Sequence, residues 1–181
     1  MLSSVELLWL VAVTGGLGVI IMREKILTYI EHNSRIDLAD LAMMLGTDEA
    51  TIMNELEAME NEHIICGYPT LINWDKASVE KVSALIEVRV TPQRGMGFDK
   101  VAERIYNYPE VDAVYLISGS YDFMVSIEGH TLREVADFVS AKLSPLDSVL
   151  STQTNFVLKK YKDHGIIMAE KHVDEREKVS L

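Results

Sequence analysis

The hydrophobic period of this chain changes partway along it, and that change limits the possible folds more than any other feature. Between residues 22 and 61 apolar residues recur every three or four positions, as on one face of a helix. From residue 82 they alternate. VSALIEVRV (82–90) sets Ala84, Ile86, Val88 and Val90 on one side, the signature of a half-buried strand. A helical bundle cannot absorb the second pattern, nor a sheet the first. The chain of 181 residues is therefore expected to be α+β, in two parts.

The first part reads as three helices. MREKILTYIEHNS (22–34) turns Ile26, Leu27 and Ile30 inward. Asp37 caps a second helix, with Leu38, Leu41, Ala42 and Leu45 inward and Gly46 ending it. Asp48 caps a third, whose inner stripe is Ile52, Leu56 and Met59. The β-like runs IICGY and TLINW follow, broken at Pro69. Three helices and a hairpin make a winged helix-turn-helix over residues 22–74. DKASVEK (75–81) is polar and reads as a linker.

After the first strand, FDKVAERIYNY (98–108) is a helix with Val101, Ala102 and Ile105 on its stripe. VDAVYLI (111–117) and FMVSIEG (123–129) are strands joined by the turn GSYD. TLREVADFVSAKL (131–143) opens with a capping box, Thr131 and Glu134. SVLSTQTNFVLKKY (148–161) is the last strand. The order βαββαβ is ferredoxin-like and spans 82–168. Residues 169–181 form a charged tail, expected to fray. Arg94 and Gly95 are expected to shape the turn after the first strand. One sheet face is expected under the helices. The other, carrying Leu85, Val114 and Leu116, is too apolar to stay wet in a monomer, which predicts a dimer.

Composition removes several classes. One cysteine, Cys66, excludes an intrachain disulfide and points to a reducing, cytoplasmic setting. The five histidines lack metal-ligand spacing, so no metal is expected. No nucleophile is paired with a base, and GMG (95–97) lacks the surroundings of a dinucleotide loop, so neither an enzyme nor a cofactor is expected. Residues 7–22 are an uncharged run of sixteen with three glycines, short for a membrane span. For residues 1–21 the expectation is a start of translation at Met22, or a segment packed on a partner, with no membrane anchor.

LADLAMMLGTDEATI, PEVDAVYLISGSYDFMV and TLREVADFVSAKLSPLDSVLSTQTNFVLKKY, in that order and spacing, resemble the Lrp/AsnC family of leucine-responsive, feast/famine transcription regulators. The resemblance covers about residues 22–168. It implies a ligand-sensing and oligomerising ferredoxin-like domain of the RAM/ACT kind, which dimerises and builds tetramers or octamers. It also implies an amino acid or related metabolite as effector, bound near Gly119, Ser120, Tyr121 and Asp122, with Thr152 and Thr154 on the last strand as weaker candidates. Asp122 suits an ammonium, and the backbone at Gly119 and Ser120 suits a carboxylate. The same four residues also make an ordinary hairpin turn.

The family's third helix enters the major groove of double-stranded DNA, which assigns DNA contact here to Asp48, Ala50, Thr51, Asn54 and Glu55. The charge opposes this. Across residues 23–62 three basic residues stand against ten acidic ones, net −7, whereas DNA affinity normally comes from phosphate neutralisation. The helix amino terminus, with its free N–H groups, softens the objection, as do Thr51 and Asn54 one turn apart. Two functions are expected to compete. One is a metabolite-responsive, DNA-binding transcription regulator. The other is a metabolite-sensing oligomer whose acidic winged helix contacts protein.

Overall fold

The computed structural model describes residues 4–77, 79–91 and 97–169, with residues 4–17 as helix backbone. Two compact units divide the chain between Thr70 and Leu71.

In the first unit α1 is Ser4–His32, α2 Leu38–Leu45 and α3 Glu49–Asn61. Helix α1 begins far upstream of the expected start at residue 22 and runs unbroken through Met22. The expected stripes meet in one core. Ile26, Leu41, Ala42, Ile52, Met59 and Ile65 are buried, and Met22, Leu27, Ile30, Leu38, Leu45 and Leu56 pack around them. Both caps form as expected. Asp37 accepts from the Ala39 N–H at 2.8 Å, and Asp48 accepts from the Thr51 N–H at 2.9 Å. Gly46 closes α2 in the left-handed conformation, φ 69°, which a residue with a Cβ adopts only at a cost. The wing is different. Residues 64–73 form no strand pairing, so the runs IICGY and TLINW, expected as a hairpin, are irregular chain. Their polar backbone is anchored at the α3 end, where the N–H groups of Ile64 and Ile65 both donate to the Met59 carbonyl. Among the described residues no helix is long and apolar enough to cross a membrane.

The α1–α3 contact carries an ion-pair cluster. Arg23 Nε donates to Glu55 at 2.6 Å, and its two terminal nitrogens donate to Glu62 at 2.8 and 3.1 Å. The planar guanidinium suits this two-carboxylate grip. Glu55 and Glu62 lie two turns apart on one helix face, so a single α1 side chain spans both.

In the second unit β1 is Val82–Val90, α4 Asp99–Tyr106, β2 Val111–Leu116, β3 Phe123–Gly129, α5 Leu132–Phe138 and β4 Val149–Phe156. Helix α5 continues as one π-helical stretch, Val139–Leu143. The sheet is antiparallel with order β2-β3-β1-β4, the ferredoxin-like arrangement. Thr131 caps α5 as expected, but the Glu134 carboxylate reaches back to the His130 N–H (2.7 Å) rather than to Thr131. The last strand is shorter than expected. Beyond it, β5 (Lys162–Asp163) and β6 (Ile166–Ile167) form a small hairpin around His164 and Gly165, both at positive φ, the turn that matches strand twist. Segment 75–81, expected as linker, falls within this unit, where Lys81 lies 4.0 Å above the Trp74 ring and pairs with Glu128 at 2.6 Å. Arg94, Gly95 and the tail from Glu170 lie outside the described residues.

The helix-covered face holds Ala84, Ile86, Val88, Val90, Phe123, Val125 and Ile127 against Val101, Ile105, Val135 and Phe138. The second face differs from the expectation. A bulge between Val111 and Ala113 reverses the parity of β2, so Val114 pairs with Val125 and Leu116 with Phe123. Both belong to the helix side. The uncovered face instead carries Leu85, Glu87 and Arg89, with Met124, Ser126, Tyr115, Gln153 and Asn155 opposite or beside them. It is more polar than the alternation alone suggests, and its apolar patch is Leu85, Met124 and Tyr115.

Two measurements check this picture. Ile86→Ala should cost about 2–5 kcal/mol in urea unfolding, because the side chain is wholly buried. Leu85→Ala, one residue away on the other face, should stay within about 1 kcal/mol in the dissociated chain. The Arg23 hydrogen bonds hold the Glu62 carboxyl below the ordinary glutamate range. A depressed carboxyl stabilises the fold above its unfolded pKa and loses that effect as pH falls through its folded value. The melting-temperature gap between wild type and Glu62→Gln should therefore be widest at neutral pH and close as acid protonates Glu62.

Candidate functional site

Each unit holds one group of the residues singled out by sequence, and each group is described within its own unit. On α3 the cap restrains the first turn. Both Asp48 oxygens are used, one by the Thr51 N–H and the other by the Thr51 hydroxyl at 2.8 Å. These bonds, led by the backbone one, lower the Asp48 pKa, so it stays ionised. The Thr51 hydroxyl therefore spends its proton inside the cap and can offer an incoming group only its acceptor lone pairs. Ala50 and Asn54 are exposed on the outer face, with Met53 and Glu57 beside them. Glu55 is not presented with them. It is turned to α1 and gripped by Arg23, at 20% side-chain exposure.

The acidity of α3 is thus unevenly distributed. Glu55 and Glu62 are compensated by Arg23, and Glu60 accepts from the Tyr68 hydroxyl at 2.6 Å. Burial and this acidic neighbour push the Tyr68 phenol up to about 12, so it remains a donor. Glu49 and Glu57 face solvent. Sequence alone missed Arg23, because a residue 32 positions before Glu55 has no local signal.

In the second unit the GSYD turn lies at the open end of β3. Gly119 and Ser120 are exposed, and Tyr121 and Asp122 half-buried. The turn is stitched to its neighbours. Ile117 N–H donates to the Asp122 carbonyl at 2.8 Å, Asp122 N–H to the Val88 carbonyl at 3.0 Å, and Val90 N–H to the Asp122 carboxylate at 2.8 Å. The last bond satisfies an amide on the β3 side of β1, just past the final β1–β3 pair, Val88 with Phe123. One carboxylate oxygen of Asp122 is therefore structural. It is tied to the neighbouring strand, not to its own turn.

Thr152 pairs with Val88 and Thr154 with Ile86, across β1 from the turn. Two strand spacings, about 10 Å, separate Asp122 from Thr152. Both threonines project to the helix side, and the Thr152 hydroxyl lies 3.5 Å from that of Ser144. The structure thus gathers Asp122 and Thr152 around one stretch of β1 and leaves Thr154 one step further along. This end of the sheet can offer a free carboxylate oxygen, two hydroxyls and exposed turn amides, a set that suits a small polar ligand.

Comparison with known proteins agrees with both units. Residues 83–167 match the model of the Lrp/AsnC ligand binding domain. The chain is 47% identical over 157 residues to the uncharacterized HTH-type transcriptional regulator YugG of Bacillus subtilis, covering 86% of this chain and 95% of that protein. It is 26% identical to a proline dehydrogenase transcriptional activator of Rhodobacter capsulatus, over 72% of this chain and 84% of that one. Among solved structures, a Neisseria meningitidis transcriptional regulator in complex with L-Met superposes with TM-score 0.63 at 21% identity, covering 78% of this chain and 91% of that one. Escherichia coli AsnC superposes with TM-score 0.59 at 21% identity, over 77% and 91%. At these identities the two structures speak for the fold. The YugG match and the domain match together establish that this chain belongs to the Lrp/AsnC family of transcription regulators.

Proposed function

We propose that this regulator binds double-stranded DNA through the amino-terminal turns of α3 and adjusts that binding to an amino acid or related metabolite held at the end of the sheet beside Asp122. The observation that carries the first half is the sorting of charge on α3. Arg23 turns Glu55 and Glu62 toward α1, while Ala50, Asn54 and the acceptor side of Thr51 remain on the outer surface. Asn54 is the strongest base-reading candidate, since its amide both donates and accepts. Asp48 acts as the cap that fixes the turn, and Glu55 takes no part in the contact. Affinity per protomer is low, because no Lys or Arg lies between Ile36 and Tyr68, and assembly multiplies it through effective concentration.

For the effector, the free oxygen of Asp122 receives the ammonium and the turn amides at Gly119 and Ser120 receive the carboxylate. Tyr121 and Thr152 flank it, and Thr154 lies further off. The L-Met held by the Neisseria regulator supports this ligand class. Dimers form back to back through the uncovered sheet face around Leu85, Met124 and Tyr115, and dimers associate into tetramers or octamers.

A second reading has its own support. Met43, Met44 and Met53 are 75%, 58% and 54% exposed on α2 and α3, beside Asp40, Glu49 and Glu57. Soft apolar side chains among acids suit a basic protein segment. Under this reading the first unit binds protein.

Three outcomes are expected. In fluorescence anisotropy with the gene's own upstream DNA at low salt, wild type binds and Asn54→Ala weakens binding by about 1–3 kcal/mol, while Glu55→Gln does not weaken it. Absence of binding with every amino acid tested would leave the protein-contact reading. In a thermal-shift screen of the twenty amino acids, one raises the melting temperature and Asp122→Asn removes that rise. Asp122→Ala also costs about 1–3 kcal/mol of stability without ligand, because the Val90 amide loses its acceptor; an unchanged ligand shift in either variant would take Asp122 out of the site. Sedimentation at micromolar concentration gives a dimer or larger, and a monomer would overturn the assembly.

A further inference from the structure

Methionines in this protein fall into sharply different surroundings. Seven of them lie among the described residues. Met59 is fully buried, and Met22, Met124 and Met168 are half-buried. Met43, Met44 and Met53 are 75%, 58% and 54% exposed. None of these three belongs to the core of the first unit, which Ile26, Leu41, Ile52 and Met59 fill. Helix α3 therefore carries one thioether inside and one outside. Met59 continues the inner stripe of Ile52 and Leu56. Met53 shares the outer surface with Ala50, Asn54 and Glu57, at the i, i+3, i+4, i+7 spacing of a single helix face.

An exposed thioether is a nucleophile toward peroxides. Its sulfur lone pair attacks one peroxide oxygen, the O–O bond breaks and an S–O bond forms. The departing hydroxide takes up a proton as water. Sulfur gives up two electrons and hydrogen peroxide is reduced. Methionine sulfoxide reductases reverse the change, their thiols closing to a disulfide while the oxygen leaves as water. Hydrogen peroxide is uncharged, so the acids around these methionines do not repel it. The sulfoxide turns a flexible apolar side chain into a polar one with an acceptor oxygen. At Met53 that oxygen appears one residue from Asn54, on a face that already carries Glu57. No Lys or Arg lies between Ile36 and Tyr68 to offer it a donor. Against a phosphate oxygen, itself only an acceptor, it sheds water and gains nothing in return.

We infer that Met53 is a reversible oxidation site whose sulfoxide weakens the contact of α3 with DNA. Met43 and Met44, on α2, oxidise alongside it, while Met59 is spared and the unit stays folded. The inference rests on the DNA-contact reading above. It adds to that reading a response to peroxide that is separate from the effector site at Asp122.

The test uses the full chain carrying Cys66→Ser, which removes its one thiol. After brief treatment with hydrogen peroxide, peptide mass spectrometry is expected to find one added oxygen on Met43, Met44 and Met53 before Met59, with an unchanged circular dichroism spectrum. Fluorescence anisotropy with the gene's own upstream DNA at low salt then compares each protein with its own untreated form. Oxidation is expected to weaken binding at least about fivefold, the size of one unsatisfied polar group. The two methionine sulfoxide reductases, one per epimer, restore it with dithiothreitol. Met53→Leu should remove the loss, and Met43→Leu combined with Met44→Leu should keep it. Oxidation of Met59 in step with Met53, an equal loss in Met53→Leu, a loss that vanishes only in the α2 variant, or no recovery with the reductases would each overturn the inference. So would oxidised protein that binds as tightly as untreated protein. Absence of binding by the untreated protein would be a different result, removing the DNA reading and this inference with it.

Discussion

The sheet unit depends on the alternation of β1. Ala84, Ile86 and Val88 are fully buried and Val90 nearly so, while Leu85, Glu87 and Arg89 between them face the other way. Because the strand is central, with β3 on one side and β4 on the other, its parity dictates theirs. Phe123, Val125 and Ile127 follow on one side and Thr152 and Thr154 on the other. Hydrophobic burial on this one face holds α4 and α5 in place. It also determines where β1 ends, and hence where the Asp122 carboxylate finds the Val90 amide.

That bond gives Asp122 a structural duty beside the ligand-binding one proposed for it. A carboxylate that satisfies the amide beyond a strand ladder's end is rigidly placed, and rigidity is what a ligand-binding group needs. The same rigidity makes the residue a poor target for alanine substitution, since a lost fold and a lost ligand give the same signal. The asparagine variant separates them. The first unit shows a comparable economy. Arg23 both docks α1 on α3 and draws Glu55 away from the outer surface, while it pairs Glu62, which stays exposed, so an acidic helix keeps an outer face that is less acidic than its composition.

Much of the architecture was legible in the residues. The inward stripes of the three helices form the core of the first unit as read, and the caps at Asp37, Asp48 and Thr131 hold their helices. These signals are local, each complete within about four residues. The failures have equally definite causes. The runs IICGY and TLINW have strand-like composition, but strand formation needs a partner, and none pairs here. Val114 and Leu116 were assigned to the wrong face because a bulge of one residue inverts every side chain beyond it. In the candidate site, GSYD was visible as a turn. The Val90 amide that engages Asp122 lies 32 residues away, and nothing in either segment announces the other.

The sequence by itself determined the class of the fold, the order of its elements, the caps and the faces of the long helices, because periodicity and capping are short-range properties of the chain. Tertiary structure alone decided which acids of α3 face solvent, which side of the sheet Val114 covers, and that one oxygen of Asp122 is held by the Val90 amide. Each of these turns on a contact between residues about thirty positions apart or on a slip of strand register. Such contacts exist only once hydrophobic burial has brought the segments together.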